Sequence, residues 1–231
     1  MKKSMMIMAV ICLAAYGAFG ADASVSVDLA SAYVFRGVTL NDGPVLQPGV
    51  EVRGLPIDLG VWGNVDLDDY NGALADGEFS EIDIYASYTL PTEAVEVSVG
   101  YTEYTYPNAR AEADREVSLS AGLDLPLAPS ATVYYGFDGG IDKQVFAELS
   151  LGHKLEVGEN LAIELGASAA YLDPDEGESG IPYYTVSAGA GYKCISAGVT
   201  YVGQIDDDVL PDGEFAYDVE VMGSLGVTWD F

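Results

Sequence analysis

The residues of this chain best suited to chemistry are its carboxylates. Thirty-seven Asp and Glu stand against nine Lys and Arg and one histidine, His153, for a net charge of -28. Acids in such excess can pair for acid–base work, ligate hard cations through oxygen, or select cations electrostatically. Three clusters are oxygen-rich: Asp66, Asp68 and Asp69; Asp173, Asp175, Glu176 and Glu178; and Asp206, Asp207 and Asp208. None has the spacing of an EF-hand calcium loop. They read first as solvated loop acids, with Asp173, Asp175, Asp206, Asp207 and Asp208 kept as weak metal candidates. His153 shares its parity with Leu151 and Leu155, close to a turn at Gly158. That places it on an apolar face, where a nucleophile–base arrangement is improbable. No catalytic residue or cofactor is expected. A field this negative also repels nucleic acid.

The remaining acids fall at alternate positions, so the elements that carry them are strands. In the last segment Val221, Gly223, Leu225, Val227, Trp229 and Phe231 share one face with Phe215, Tyr217 and Val219. Asp218, Glu220, Met222, Ser224, Gly226, Thr228 and Asp230 take the other. The pattern recurs over 82–90, 95–102, 117–125 and 161–169, and more weakly over 25–37, 45–54, 56–66, 130–137, 144–156, 183–193 and 195–205. That is an even set of about twelve strands. Glu103 breaks the parity, which suggests a bulge beside it. Short links (54–56, 91–93, 126–129, 158–160, 193–194) alternate with longer ones (38–44, 67–78, 106–114, 138–143, 173–182, 206–214).

Alternation alone suits a soluble sandwich equally well. The aromatics discriminate. Tyr33, Phe35, Tyr101, Tyr104, Tyr135, Phe137, Tyr171, Tyr184, Tyr201, Phe215 and Tyr217 lie at the long-link ends. Tyr88, Tyr192, Trp229 and Phe231 lie at the opposite ends. Two such girdles are what a bilayer selects. The expected fold is therefore all-β, a transmembrane antiparallel up-and-down barrel closed without a lipid-exposed edge. No plug segment or domain boundary is evident.

A barrel turns the polar parity into a lumen. Its lining candidates are Asp28, Arg36, Glu51, Arg53, Asp58, Glu81, Asp83, Glu96, Glu116, Glu148, Glu164, Asp218 and Glu220, with Asp124, Lys154 and Lys193 on the same face. Inward Gly122, Gly166, Ser168, Ser187, Gly189 and Gly198 would leave room, whereas Trp62, Tyr85, Tyr134 and Phe146 would fill it. At about twelve strands, open and plugged interiors are both conceivable. Arg36 is the strongest candidate for pairing with an acid, because an unpaired buried charge is costly.

The first residues carry an export signature: Lys2 and Lys3, an apolar run from Met5 to Phe19, and small residues allowing cleavage after Gly20 or Ala23. Residues 1–23 are thus expected to be a signal peptide and 24–231 the barrel. Cys12 lies in the signal, so the mature chain keeps only Cys194 and has no internal disulfide.

Two stretches carry a family resemblance. Leu225-Gly226-Val227-Thr228-Trp229-Asp230-Phe231 resembles the terminal assembly signal of bacterial outer-membrane proteins. Ser31-Ala32-Tyr33-Val34-Phe35-Arg36-Gly37-Val38-Thr39, followed by Asn41-Asp42-Gly43-Pro44 and Gln47, resembles the opening of the TorF-like porin family. In that position Pro48-Gly49 replaces an expected Gly-Gly-like pair. The resemblance implies an outer-membrane barrel and no catalytic residues. It also implies barrel-assembly machinery as a partner through the Phe231 segment. The further partners expected are outer-membrane lipid, lipopolysaccharide bridged by divalent ions, and small solutes. The function that follows is passive passage of small, preferably cationic solutes. The alternative is a non-conducting structural or adhesive barrel whose acidic loops bind a partner or divalent cations.

Overall fold

The computed structural model describes residues 21–68, 77–92, 94–109, 111–206, 208–210 and 219–231. The strands in chain order are β1 (Asp22–Ala30), β2 (Tyr33–Phe35), β3 (Val38–Asn41), β4 (Val45–Arg53), β5 (Asp58–Asp66), β6 (Phe79–Leu90) and β7 (Glu96–Thr105). They continue as β8 (Asp114–Gly122), β9 (Ser130–Asp138), β10 (Val145–Val157), β11 (Leu161–Asp173), β12 (Tyr183–Tyr192), β13 (Ile195–Gln204) and β14 (Val221–Asp230). Among the described residues, twelve of these close into an antiparallel up-and-down barrel, with β14 completing the ring against β1. The closing register pairs Val27 with Val227 and Asp28 with Gly226, and Phe231 N–H donates to the Ala23 carbonyl at 2.8 Å. β2 and β3 stand apart as a separate hairpin.

Each wall strand places apolar residues on one side because side chains alternate. That side faces out: Leu149 is 67% exposed, and Ile84, Leu119, Leu165, Val199 and Leu225 are also exposed. A chain in water would not leave so continuous an apolar surface uncovered, so hydrocarbon is what covers it. Exposed Tyr135, Phe137, Tyr171, Tyr184 and Tyr201 ring the long-link end, and Tyr88, Tyr192, Trp229 and Phe231 the short-turn end. Leu149→Arg, in the middle of β10, is therefore expected to cost about 2–4 kcal/mol. Urea unfolding in lipid vesicles measures it. Ser150→Arg, on the inward parity, should cost much less, and equal costs would contradict this assignment of faces.

The structure corrects several local expectations. The strand expected over 25–37 leaves the wall early: β1 ends at Ala30, and Ser31 N–H donates to the Gly223 carbonyl at 2.9 Å before the chain departs. Alternation misled here because the departing hairpin alternates too. The bulge beside Glu103 is also displaced. β7 pairs regularly with β6, and the register shift lies between Arg115 and Glu116 where β8 meets β9. Glu103 points outward and is satisfied there by Arg115, at 3.2 Å, and by the Tyr101 hydroxyl, at 3.0 Å. Arg115 in turn pairs with Asp138. Of the long final strand, Val221–Asp230 is observed, and Phe215, Tyr217 and Asp218 lie outside the described residues. The expected signal sequence also lies outside them except for residues 21–23, of which Asp22 and Ala23 open β1.

Candidate functional site

The segment from Ala32 to Gly43 folds across the inside of the barrel. Its tip is a two-residue turn, Arg36-Gly37, between register partners Phe35 and Val38. Both tip residues have positive φ, +50° and +84°. Two central residues of that kind make a type I′ turn, which favours Asn-Gly or Gly-Gly. Gly37 suits it doubly, because a Cβ there would lie 2.5 Å from the Tyr183 ring. Arginine does not suit position 36. Its side chain must explain its presence.

That side chain reaches the far wall. Arg36 Nη2 donates to both oxygens of Glu116 on β8, at 2.8 and 3.0 Å. The guanidinium lies over the rings of Phe146 (4.3 Å), Tyr134 (4.7 Å) and Phe35 (4.9 Å). Glu116 is 1% exposed and also accepts from the Tyr104 hydroxyl at 2.8 Å. A buried carboxylate needs such partners, because desolvation otherwise forces it neutral.

The rest of the hairpin is held all round. Tyr33 donates to Glu81 Oε2 at 3.0 Å and packs against Trp62, 5.6 Å away. Phe35 packs on Tyr104 at 5.7 Å. Val34 and Val38 meet a buried apolar cluster of Phe146, Ala170, Leu172, Tyr183, Val202, Val209 and Leu210. At the base, Asn41 and Asn64 donate to Asp66 Oδ1 at 2.8 and 2.9 Å, and Gln47 donates to Asn64 at 3.1 Å. Asn41 and Asp66 are fully buried, so this network is satisfied internally as burial demands. Thus the barrel has a plug segment, contrary to the sequence reading. Tyr33, Phe35 and Tyr104, expected in the outer girdle, belong instead to its grip. The inward aromatics Trp62, Tyr134 and Phe146 contact it; Tyr85 instead lies over Gly60, where a Cβ would meet its ring at 2.0 Å.

The lining candidates divide by depth. Glu81, Asp83 and Glu116 surround the hairpin and are buried. Asp83 Oδ1 has no hydrogen-bond partner among the described residues. Asp28 crowds Gly226, and Glu148 shares its inward face with Ser150 on β10. Towards the short turns, Glu51 pairs with Arg53 at 2.6 Å, and Lys154 lies 3.1 Å from Glu156 and 4.0 Å from Glu164. Asp58 and Glu96 occupy inward positions at that same end. Glu220 is exposed just before β14, and Asp124 and Lys193 fall in turns, Lys193 over the Tyr192 ring at 5.4 Å. Asp218 is outside the described residues. Arg36, expected on the wall, is supplied by the hairpin tip.

Two spaces flank this arrangement. One, of about 390 Å³, is lined by Phe35, Arg36, Glu81, Tyr106, Asp114 and Leu210, among others. There Tyr106 donates to Asp114 Oδ2 at 2.7 Å, and burial holds its phenol well above its ordinary pKa, so it stays a neutral donor. The other, of about 490 Å³, runs along β10–β13 past Gly152, Lys154, Glu164, Gly166, Ser187, Gly189 and Gly198. Small inward residues make this lower lumen roomy. Beside it on the inward parity, the hydroxyl pairs Ser130–Ser150 (2.7 Å) and Ser168–Thr185 (2.8 Å) keep the barrel wall polar.

The metal candidates do not converge. Asp175 pairs with Lys143 at 3.0 Å, and Asp206 accepts from the Asp208 N–H. Asp207 is outside the described residues, among which no group of three or more His, Cys, Asp or Glu could hold a metal ion. His153 keeps the outward parity, opposite Leu165.

Fold and site together define a transmembrane β-barrel with an acidic, hairpin-constricted interior. Residues 14–125 match the model of a bacterial protein family of unknown function, Gcw_chp. No curated protein matches the sequence. Among solved structures, Salmonella typhi OmpF in complex with daunomycin is 8% identical at a TM-score of 0.43, covering 91% of this chain and 97% of that one. LpxR from Salmonella typhimurium is 12% identical at 0.47, covering 88% and 99%. A further porin is 16% identical at 0.35, covering 84% and 63%.

Proposed function

We propose that this protein is a porin-like barrel of the bacterial outer membrane that lets small, preferably cationic solutes pass through a lumen narrowed by its first long link. The observation that carries the reading is the sign of the lumen. At the hairpin Arg36 is matched by Glu116, and towards the short turns the inward Glu51, Asp58, Glu96, Glu156 and Glu164 outnumber Arg53 and Lys154. Rings of carboxylates favour cations. The wide lower lumen of Gly and Ser supplies the route beneath. His153, outside the lumen, leaves a hydrolase reading without its usual base.

The reading extends to the membrane partners. Exposed Phe231, directly after β14, supports recognition of this segment by barrel-assembly machinery, and divalent ions would bridge the acidic outer loops to lipopolysaccharide. A second reading, a non-conducting structural barrel, is favoured by the grip on the hairpin at tip, flank and base. Planar-bilayer recording decides between them. The expected result is a small conductance whose reversal potential in a KCl gradient shows cation preference. Anion preference, or silence both in the natural protein and after removal of the hairpin, would eliminate the passage reading.

A further inference from the structure

We propose that Glu116, Tyr134 and Phe146 form a guanidinium-binding site in the lumen wall, filled in the resting barrel by the chain's own Arg36. The site is built by the wall and not by the hairpin. Glu116 is on β8, Tyr134 on β9 and Phe146 on β10, three adjacent strands. The Tyr104 hydroxyl, 2.8 Å from Glu116 Oε1, fixes the carboxylate from β7. A guanidinium is planar, so one edge nitrogen, here Nη2, can meet both carboxylate oxygens while its flat, weakly hydrated faces lie against rings. An alkylammonium is a compact, strongly hydrated charge that can do only part of this. The two contacts to Glu116, at 2.8 and 3.0 Å, and the ring distances of 4.3 and 4.7 Å show the fit for the tethered group.

The turn supplies an independent sign that Arg36 is there as a ligand. A non-glycine residue at φ +50° is unfavourable in its own backbone, and Arg36 gains nothing from the turn that asparagine or glycine would not improve. Its occupancy of the wall site offsets that cost. The arrangement is therefore competitive: a free solute carrying a guanidinium group and Arg36 exclude one another. When the solute takes Glu116, the hairpin loses its tip anchor and retains its flank and base. Only the consequence for passage rests on the proposed function; the site does not.

Calorimetric titration of the detergent-solubilised Arg36→Ala barrel tests the site directly. Methylguanidinium should bind saturably and about tenfold more tightly than methylammonium. Addition of Glu116→Gln should abolish the difference, and the natural protein should bind more weakly than Arg36→Ala because its own arginine competes. Equal binding of the two cations, or selectivity that survives Glu116→Gln, overturns the proposal. Gel mobility in cold detergent shows whether each variant is folded. If Arg36→Ala fails to fold, the natural barrel is titrated instead: methylguanidinium should bind saturably and more tightly than methylammonium, and equal binding counts against the site. Selective binding in a barrel that never conducts would remove the passage reading alone. Conductance without selective binding would remove the site alone.

Discussion

Replacing residues 32–43 with a short Gly-Ser link is expected to raise single-channel conductance several-fold and to sharpen cation preference. The barrel tolerates the change geometrically, because Ala30 and Val45 are register partners on neighbouring strands and a tight link can join them. What is lost is the material across the upper lumen: Tyr33, Val34, Phe35, Arg36 and Val38, which touch opposite walls. What remains is Glu81, Asp83 and Glu116 without their cationic counterpart. The backbone ladder of the wall does not depend on the hairpin, whose two strands pair only with each other. The variant should therefore still fold, as a heat-dependent gel shift reports. An unchanged conductance in a folded variant would mean that the constriction lies elsewhere.

The second large effect concerns stability. Glu116→Ala strands the Arg36 guanidinium among Phe35, Tyr134 and Phe146 and leaves the Tyr104 hydroxyl without its acceptor. Removing one partner of a buried pair costs about 3–5 kcal/mol. The urea midpoint should fall accordingly. Replacing both partners, as Arg36→Met with Glu116→Leu, should recover most of the loss, since an apolar pair of similar volume leaves no uncompensated charge. If the single and double variants unfold alike, the pair is not what holds the tip.

Much of this barrel is legible in its sequence because alternation reports a physical constraint on every wall residue. Ile82, Ile84, Ala86 and Tyr88 against Glu81, Asp83, Tyr85 and Ser87 have one solution in hydrocarbon, with the first set outward. The short and long links fall where the strand ends require them. Trp229 and Phe231 at one end and Tyr171, Tyr184 and Tyr201 at the other mark the two interfaces.

Residues 31–44 obey the same alternation for a different reason. Tyr33, Val34, Phe35, Val38 and Leu40 are apolar because they meet side chains inside the barrel. Periodicity registers that a side chain is covered, and is silent on whether lipid or protein covers it. The one local sign was Arg36-Gly37 between two short alternating runs, the pattern of a two-residue hairpin. The same ambiguity hid the roles of Tyr104, Tyr134 and Phe146, whose partners lie tens of residues away.

From its order of residues alone this chain specifies strands, faces, links and the acid excess of its interior, because each depends on neighbours one or two positions apart. Only the closed barrel decides that Arg36 meets Glu116 across 80 positions of sequence, that Asn41 meets Asp66, and that the first long link turns inward. Those contacts are set by which walls face each other once β14 has joined β1. No short-range pattern carries that information.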